Sequence, residues 1–135
     1  LLLRRNGEPA VLAITCGYGA FASPEIAESK QAAVVRYPCV SKLDSLHLLK
    51  AIAWGVDGII VVSCSESQEM GCQYKESQFW VNRRISHAHN LLTELGLEAE
   101  RLILTELPEP SVDSFNRVLE ESVQRFKQLG PSPVS

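Results

Sequence analysis

Four apolar segments of strand length divide the chain at fairly even intervals. They are residues 9–15 (PAVLAIT), 32–37 (AAVVRY), 59–62 (IIVV) and 102–107 (LILTEL). Their hydrophobic residues are mostly consecutive rather than alternating, a pattern typical of parallel strands that are buried on both faces. Proline follows the second and the fourth segments. Because proline cannot donate a ladder hydrogen bond, it marks where those two strands end.

Between these segments, apolar residues recur at steps of three and four, which predicts amphipathic helices. The three clear stripes comprise Leu48, Leu49, Ile52, Ala53 and Val56; then Val81, Ile85, Ala88, Leu92 and Leu95; then Phe115, Val118 or Leu119, Val123 and Phe126. Asp44 is the predicted N-cap of the first helix and Gly96 the stop of the second, whereas the third spans about 112–129. The sequence Ser23-Pro24-Glu25 predicts one further short helix that ends near Lys30.

The alternation of strands and helices predicts an α/β fold with a parallel sheet that helices cover on both faces. Right-handed crossovers leave few topologies for about four strands. We predict a flavodoxin-like open sheet with strand order 2-1-3-4. We expect one domain over residues 10–130, with 1–9 as a linker or the tail of a preceding domain and 131–135 as a disordered tail. Because the sequence does not begin with methionine, we expect it to be a piece of a longer chain.

The composition is that of an ordinary globular domain, with 45% hydrophobic and 21% charged residues. A net charge of −3 provides no basic field, so a nucleic acid partner is not expected. No apolar stretch approaches the roughly 20 residues that span a bilayer. Four cysteines are too few for a secreted disulfide scaffold, and the first residues do not resemble a signal peptide. We therefore predict a cytoplasmic location, where clustered thiols usually indicate metal or redox chemistry.

Three of the four cysteines follow the first three predicted strands. Cys16, Cys39 and Cys64 each come at or just after a strand end, and Cys72 follows eight residues after Cys64. Because parallel strands end along one edge of a sheet, the order 2-1-3 brings the first three thiols together. The segment that leads to Cys72 is long enough to fold back over the same edge. The sequence therefore predicts a site formed by all four cysteines.

Four thiolates suit either zinc or an iron–sulfur cluster. Structural zinc usually uses closely spaced Cys-x₂₋₄-Cys pairs, and the spacings of 23, 25 and 8 residues contain none, which favours a [2Fe–2S] cluster. The absence of a Cys-x-x-Cys pair disfavours thioredoxin-like chemistry. Two alternatives remain open: chance placement of buried cysteines, and a redox-sensing dithiol formed by Cys64 and Cys72.

Other residue types offer weaker signals. The sequence contains no glycine-rich phosphate loop, so nucleotide binding is not expected. His47, His87 and His89 fall on predicted helix surfaces, and we expect them to be solvated. Trp54 and Trp80 are predicted to be packing or interface residues.

Several short motifs, taken together, resemble one known family. They are residues 16–18 (CGY), 36–39 (RYPC), 57–64 (DGIIVVSC), 71–74 (GCQY) and 92–102 (LTELGLEAERL). In this combination and order they are similar to the MvhD family, the iron–sulfur (delta) subunit of methyl-viologen-reducing hydrogenase. The resemblance covers residues 10–130. Related domains occur fused to heterodisulfide-reductase-A-like flavoproteins, including those of quinone-interacting oxidoreductase complexes.

The resemblance implies an electron-transfer module of anaerobic metabolism with a [2Fe–2S] cluster held by Cys16, Cys39, Cys64 and Cys72. It also implies two kinds of partner: a heterodisulfide-reductase-A-like protein with FAD and iron–sulfur centres, and a hydrogenase, dehydrogenase or quinone-linked subunit. The module would have no catalytic residues of its own, and any oxidoreductase activity would belong to the assembled complex.

Two departures from the family pattern keep an alternative open. The family's first loop usually carries two or three cysteines, whereas this sequence has only Cys16 there, and Gln73 stands where the family has histidine. The alternative hypothesis is that the cluster has been lost and that the domain only docks the flavoprotein.

Overall fold

The computed structural model describes residues 9–16, 33–37, 44–64, 77–107 and 112–130. The strands are β1 (Val11–Cys16), β2 (Ala33–Tyr37), β3 (Gly58–Cys64) and β4 (Leu102–Leu107), and the helices are α1 (Ser45–Ala53), α2 (Ser77–Glu94) and α3 (Val112–Leu129). A 3₁₀ turn, Ala99–Arg101, directly precedes β4. The short helix predicted near residues 24–30 lies outside the described residues.

The described strands form one parallel sheet in the order β2-β1-β3-β4, which confirms the predicted fold class and strand order. β3 pairs with β1 on one side and with β4 on the other. Residues 59–62 of β3 are completely buried. Because this strand is covered on both faces and paired on both sides, its four residues must all be apolar, which explains the consecutive pattern in the sequence.

Helices pack on both faces of the sheet, as predicted. On the first face, α1 and α2 bury Ile59 and Val61 of β3; on the second, α3 buries Ile60 and Val62. This division follows from the alternation of side chains along a strand. The second face is closed by the stripe that the sequence predicted for α3, namely Phe115, Leu119, Val123 and Phe126, with Val118 partly buried.

Both predicted helix caps are present. The Asp44 carboxylate accepts a hydrogen bond of 3.0 Å from the backbone N–H of Leu46, which caps α1. After α2, Gly96 adopts a φ of 80°, and its N–H donates to the Thr93 carbonyl. The Leu97 N–H reaches back to the Leu92 carbonyl at 2.9 Å. These two bonds form a Schellman motif, which only a residue that tolerates positive φ can close.

This cap corrects the predicted stripe of α2. Leu95 was expected to be buried with Leu92, but it is 67% exposed because α2 ends at Glu94. The reversal at Gly96 instead packs Leu97 against the core, as the Schellman motif typically does. Ala53 is also exposed, although it was predicted to lie on the stripe of α1.

A buried arginine ties together the edge of the sheet where the strands begin, which we call the amino edge. Arg101 is 0% exposed. Its Nη1 donates to the carbonyls of Asp57 (2.9 Å) and Gly130 (3.1 Å), and its Nε donates to the Glu98 carboxylate at 2.7 Å. The Asp57 carboxylate in turn accepts the N–H of Ala10 at 2.9 Å. One guanidinium thus connects the residues before β3 and β4 with the end of α3. The Asp57 carboxylate extends this network to Ala10, before β1.

The contact with Arg101 stabilises the end of α3. The last carbonyls of a helix have no partner within the helix and carry its negative dipole end, so a guanidinium there supplies both donors and opposite charge. Close by, Gly58 begins β3 directly beneath the Phe126 ring, and a side chain at this position would overlap that ring. Hydrogen bonding and shape therefore both fix how α3 lies against the start of the sheet.

We predict that Arg101→Met lowers the free energy of unfolding by about 3 kcal/mol. The substitution keeps an apolar stem but leaves buried carbonyls and a carboxylate without their donor. Urea unfolding followed by far-UV circular dichroism measures the change. Arg117→Met, at an exposed position on α3, is the matched control and should change stability by less than about 0.5 kcal/mol. Equal losses in both variants would contradict the role assigned to Arg101.

The same contact predicts a dependence of stability on pH. The hydrogen bond from Arg101 lowers the pKa of the Glu98 carboxyl below its usual value of 4.5. A carboxyl whose pKa is lower in the folded state stabilises the fold above its unfolded pKa, and this contribution disappears as the pH falls through the folded pKa. The stability advantage of the natural protein over Glu98→Gln should therefore be present at pH 7 and shrink below about pH 4.5. An advantage that stays constant with pH would contradict the ionic contribution of Glu98.

Candidate functional site

Two of the four predicted ligands lie at the opposite edge of the sheet, where the strands end, which we call the carboxyl edge. Cys16 is the last residue of β1, and Cys64 is the last residue of β3. These strands are direct neighbours, with Thr15 paired to Val62, and neighbouring strands lie about 5 Å apart. The structure thus places the backbones of Cys16 and Cys64 at the same edge of adjacent strands.

The other two predicted ligands, Cys39 and Cys72, lie outside the described residues. β2 ends at Tyr37, which pairs with Cys16, so Cys39 follows two residues beyond the neighbouring strand end. Within the described ranges, no group of three or more histidine, cysteine or acidic residues comes together as a metal site. Those ranges contain only two of the four cysteines. The four-cysteine ligand set therefore stays a prediction.

The strand order gives this position its significance. The chain passes from β1 to β2 on one side, and then crosses to β3 on the other side of β1. The connections therefore leave the β1–β3 pair in opposite directions. Open α/β sheets bind their ligands at such a topological switch point. Cys16 and Cys64 end the two strands that define it.

A buried hydroxyl lies beside this point. Thr15, the residue before Cys16, is 0% exposed, and its Oγ1 has no hydrogen-bond partner in the part of the chain that the structure describes. It is paired with Arg36 of β2 and Val62 of β3, one residue below the carboxyl edge. Sequence reasoning treated Thr15 only as the end of an apolar strand. Its polar character immediately before a cysteine was the available signal.

The histidines were predicted to be solvated, and this is wrong for one of them. His47 and His87 are exposed. His89, however, is partly buried against β4, with its Nε2 at 2.7 Å from the carbonyl oxygen of Leu102. Because a carbonyl only accepts, Nε2 carries the hydrogen. This contact satisfies the first carbonyl of β4 and places His89 far from the switch point.

A cavity of about 610 Å³ lies along β4, between the two helical layers. Its lining includes His89, Glu100, Leu102, Ile103, Arg125 and Leu129. These residues belong to the beginning of β4 and to elements beside it. The cavity therefore lies toward the amino edge, away from the strand ends that carry Cys16 and Cys64, and does not form part of the cysteine site.

Exposed hydrophobic residues occur at both ends of the helices α1 and α2. Leu46 is 55% exposed in the first turn of α1, and Trp80 is 45% exposed in the first turn of α2. Trp54, the residue after α1, is 70% exposed. Helices that connect parallel strands run antiparallel to them, so the first turns lie toward the carboxyl edge. Leu46 and Trp80 therefore provide apolar surface on the side of the cysteines.

The described helices include none that is long and apolar enough to cross a membrane.

Comparison with known proteins shows similarity over nearly the whole chain. Residues 10–130 match the family described as "FlpD: Methyl-viologen-reducing hydrogenase, delta subunit". The iron-sulfur subunit of an F420-non-reducing hydrogenase from Archaeoglobus profundus is 32% identical over 130 residues, which cover 92% of this chain and 93% of the relative. The vhu iron-sulfur subunit of the same type of hydrogenase from Methanocaldococcus jannaschii is 29% identical, covering 94% of this chain and 97% of the relative.

A second kind of relative is much longer. A ferredoxin:CoB-CoM heterodisulfide reductase polypeptide from Methanosarcina mazei is 22% identical over 129 residues, which cover 91% of this chain but only 16% of that protein. The same type of domain therefore occurs both on its own and within a larger polypeptide.

Proposed function

Because the chain belongs to the family of the methyl-viologen-reducing hydrogenase delta subunit, we propose that it relays electrons through a [2Fe–2S] cluster. Cys16, Cys39, Cys64 and Cys72 each supply one thiolate, two to each iron. When bound, the cluster provides a one-electron carrier. The domain itself makes and breaks no substrate bonds, so the activity belongs to the complex in which it works.

The observation that carries this proposal is the placement of Cys16 and Cys64 at the ends of the two switch-point strands. Both strands are anchored in the core: residues 59–62 of β3 are completely buried, and β1 is paired on both sides. Such strand ends hold ligands in fixed positions. A rigid ligand set suits electron transfer, in which the site should change little between its two redox states.

The relatives support the choice of partners. Family members are named as hydrogenase iron-sulfur subunits, and a similar domain forms part of a heterodisulfide reductase polypeptide. We propose that this chain works between a heterodisulfide-reductase-A-like protein with FAD and iron–sulfur centres and a hydrogenase, dehydrogenase or quinone-linked subunit. The exposed Leu46 and Trp80, on the side of the cysteines, provide apolar contact surface for such a partner.

A second candidate is a domain without a cluster that only docks the flavoprotein. The sequence favours this alternative in one respect, since Cys16 is the one cysteine present where the first loop of the family usually carries two or three. Both candidates require the same fold. They differ only in whether the protein binds iron and sulfide.

Metal analysis of anaerobically purified protein separates the two candidates. We expect about two irons and two acid-labile sulfides per chain, as a [2Fe–2S] cluster requires. Reduction with dithionite should then produce a rhombic S = 1/2 electron paramagnetic resonance signal. Protein that remains free of iron after anaerobic reconstitution with iron and sulfide would favour the docking domain instead.

Substitution of single cysteines tests the ligand assignment. Cys16→Ser and Cys64→Ser should each lose most of the bound iron, since each removes one of the four proposed thiolates. Cys39→Ser and Cys72→Ser should behave in the same way. Ser63→Ala, directly beside Cys64, is the matched control and should keep the iron content of the natural protein. A cysteine variant with full iron content and an unchanged spectrum would remove that residue from the ligand set.

A further inference from the structure

We propose that the outer surface of α1 and α2 is a docking site for an electron-transfer partner whose own surface is acidic. The exposed residues Leu46 and Lys50 of α1 and Trp80 and Arg83 of α2 form this surface. The inference rests on the proposed function, because it requires that a redox partner approaches the cysteines. It names the chemistry through which that partner is recognised.

The two helices present these four side chains on the same outer surface. The side of α2 that faces the sheet is buried and apolar. Trp80 and Arg83 lie about one turn apart on the side away from the sheet, and both are exposed. Leu46 and Lys50 have the same relation on α1, where they are four residues apart and exposed. Because α1 and α2 pack against each other on the first face of the sheet, the two pairs lie side by side.

This surface lies close to the carboxyl edge, because both helices begin there. Lys50 is five residues from the start of α1, and Arg83 is six residues from the start of α2. At 1.5 Å per residue, these positions are about 8 and 9 Å from the first turns. The screening length is about 10 Å at 0.1 M salt and about 30 Å at 0.01 M. The two charges therefore act on a molecule that approaches the ends of β1 and β3, most strongly at low salt.

The charge of this surface is opposite in sign to that of the whole protein, which is −3. Together, α1 and α2 contain the cations Lys50, Arg83 and Arg84 and one acid, Glu94, which ends α2 at the amino edge. Neither helix has an acid in its first turn, where the helix dipole favours one. The acid directly before α1 is Asp44, whose carboxylate caps that helix. On the other face of the sheet, the cations and acids of α3 are equal in number.

This combination of side chains indicates the kind of partner. Leu46 and Trp80 supply apolar contact area, and the cations beside them favour a partner with acidic groups around its own contact area. Electron-transfer complexes are often small and transient, and opposite charges increase the rate at which such partners associate. An acidic electron-carrier protein fits these requirements. A nucleic acid fits them less well, because the rest of the chain would repel it.

Binding of an acidic polypeptide tests the surface without the cluster. The probe is fluorescently labelled poly-L-glutamate, and its binding to the full chain is measured by fluorescence anisotropy at low salt. The double variant Lys50→Glu/Arg83→Glu should bind the probe at least about tenfold more weakly than the natural protein. The matched control is Arg117→Glu/Arg125→Glu, which makes the same change in net charge at exposed positions of α3 and should retain most of the binding.

Three results of this experiment would contradict the inference. The first is an equal loss of binding in both double variants, which would show that only net charge matters. The second is tighter binding of polyuridylate than of poly-L-glutamate, which would indicate a nucleic acid partner. The third is natural protein that binds the probe no better than Lys50→Glu/Arg83→Glu. In that case the acids between β3 and α2, namely Glu66, Glu69 and Glu76, cancel the field of the cations. If the reversed variant does not fold, Lys50→Gln/Arg83→Gln should show a smaller loss in the same direction.

The reduced cluster provides a second readout of the same field. Hexacyanoferrate(III) is an anion and hexaamminecobalt(III) is a cation, and each accepts one electron from the reduced cluster. At low salt, Lys50→Glu/Arg83→Glu should react more slowly than the natural protein with the anion and faster with the cation. Both differences should disappear as salt is added. The α3 control variant should remain close to the natural protein with both reagents, and equal changes in the two double variants would contradict the inference.

The two measurements separate this inference from the proposed function. Protein that binds no iron contradicts the electron relay and with it the redox nature of the partner. Protein that binds iron, but binds poly-L-glutamate equally well after reversal of Lys50 and Arg83, contradicts only the docking surface. Weaker probe binding together with slower reaction of the anion, both absent in the α3 control, supports it.

Discussion

The hydrogen bonds of the buried Arg101 hold together the edge of the sheet at which the strands begin. This guanidinium reaches the carbonyls of Asp57 and Gly130 and the carboxylate of Glu98, so it connects β3, α3 and the turn before β4. A buried cation is stable only when several acceptors surround it, and these acceptors come from distant parts of the sequence. The position of α3 over the sheet therefore depends on this contact and on the close fit between Gly58 and Phe126.

The residues of β3 that stabilise the fold and the proposed ligand lie at opposite ends of this strand. β3 begins at the amino edge, where Asp57 and Gly58 serve the packing of α3, and ends at the carboxyl edge with Cys64. Its four central residues are completely buried and give both ends a rigid support. The conspicuous segment DGIIVVSC thus combines two roles: its first residues fix the fold, and its last residue is a proposed ligand.

The carboxyl edge of the sheet, unlike the amino edge, carries the proposed metal ligands. Cys16 and Cys64 end the switch-point strands. The buried Thr15 hydroxyl, which has no partner among the described residues, lies one residue before Cys16 on the face of the sheet that α3 covers. The proposed iron–sulfur cluster would use the two cysteines at this edge, because their thiolates would bind iron. The exposed Leu46 and Trp80 on the same side would allow a redox partner to approach the site.

The sequence alone determined the α/β class, the four strands, the strand order and the two helix caps, because burial patterns and capping chemistry are local or follow from general rules of topology. It also determined that cysteines follow strand ends. The three- and four-residue periodicity predicted that the buried stripe of α2 would reach Leu95. The chain reversal at Gly96 instead leaves Leu95 exposed and packs Leu97 against the core. Only the tertiary structure decided the burial of Arg101, the contact of His89 with β4 and the isolation of the Thr15 hydroxyl. The physical reason is that each depends on partners more than ten residues away in sequence, or on their absence, and no local pattern encodes them.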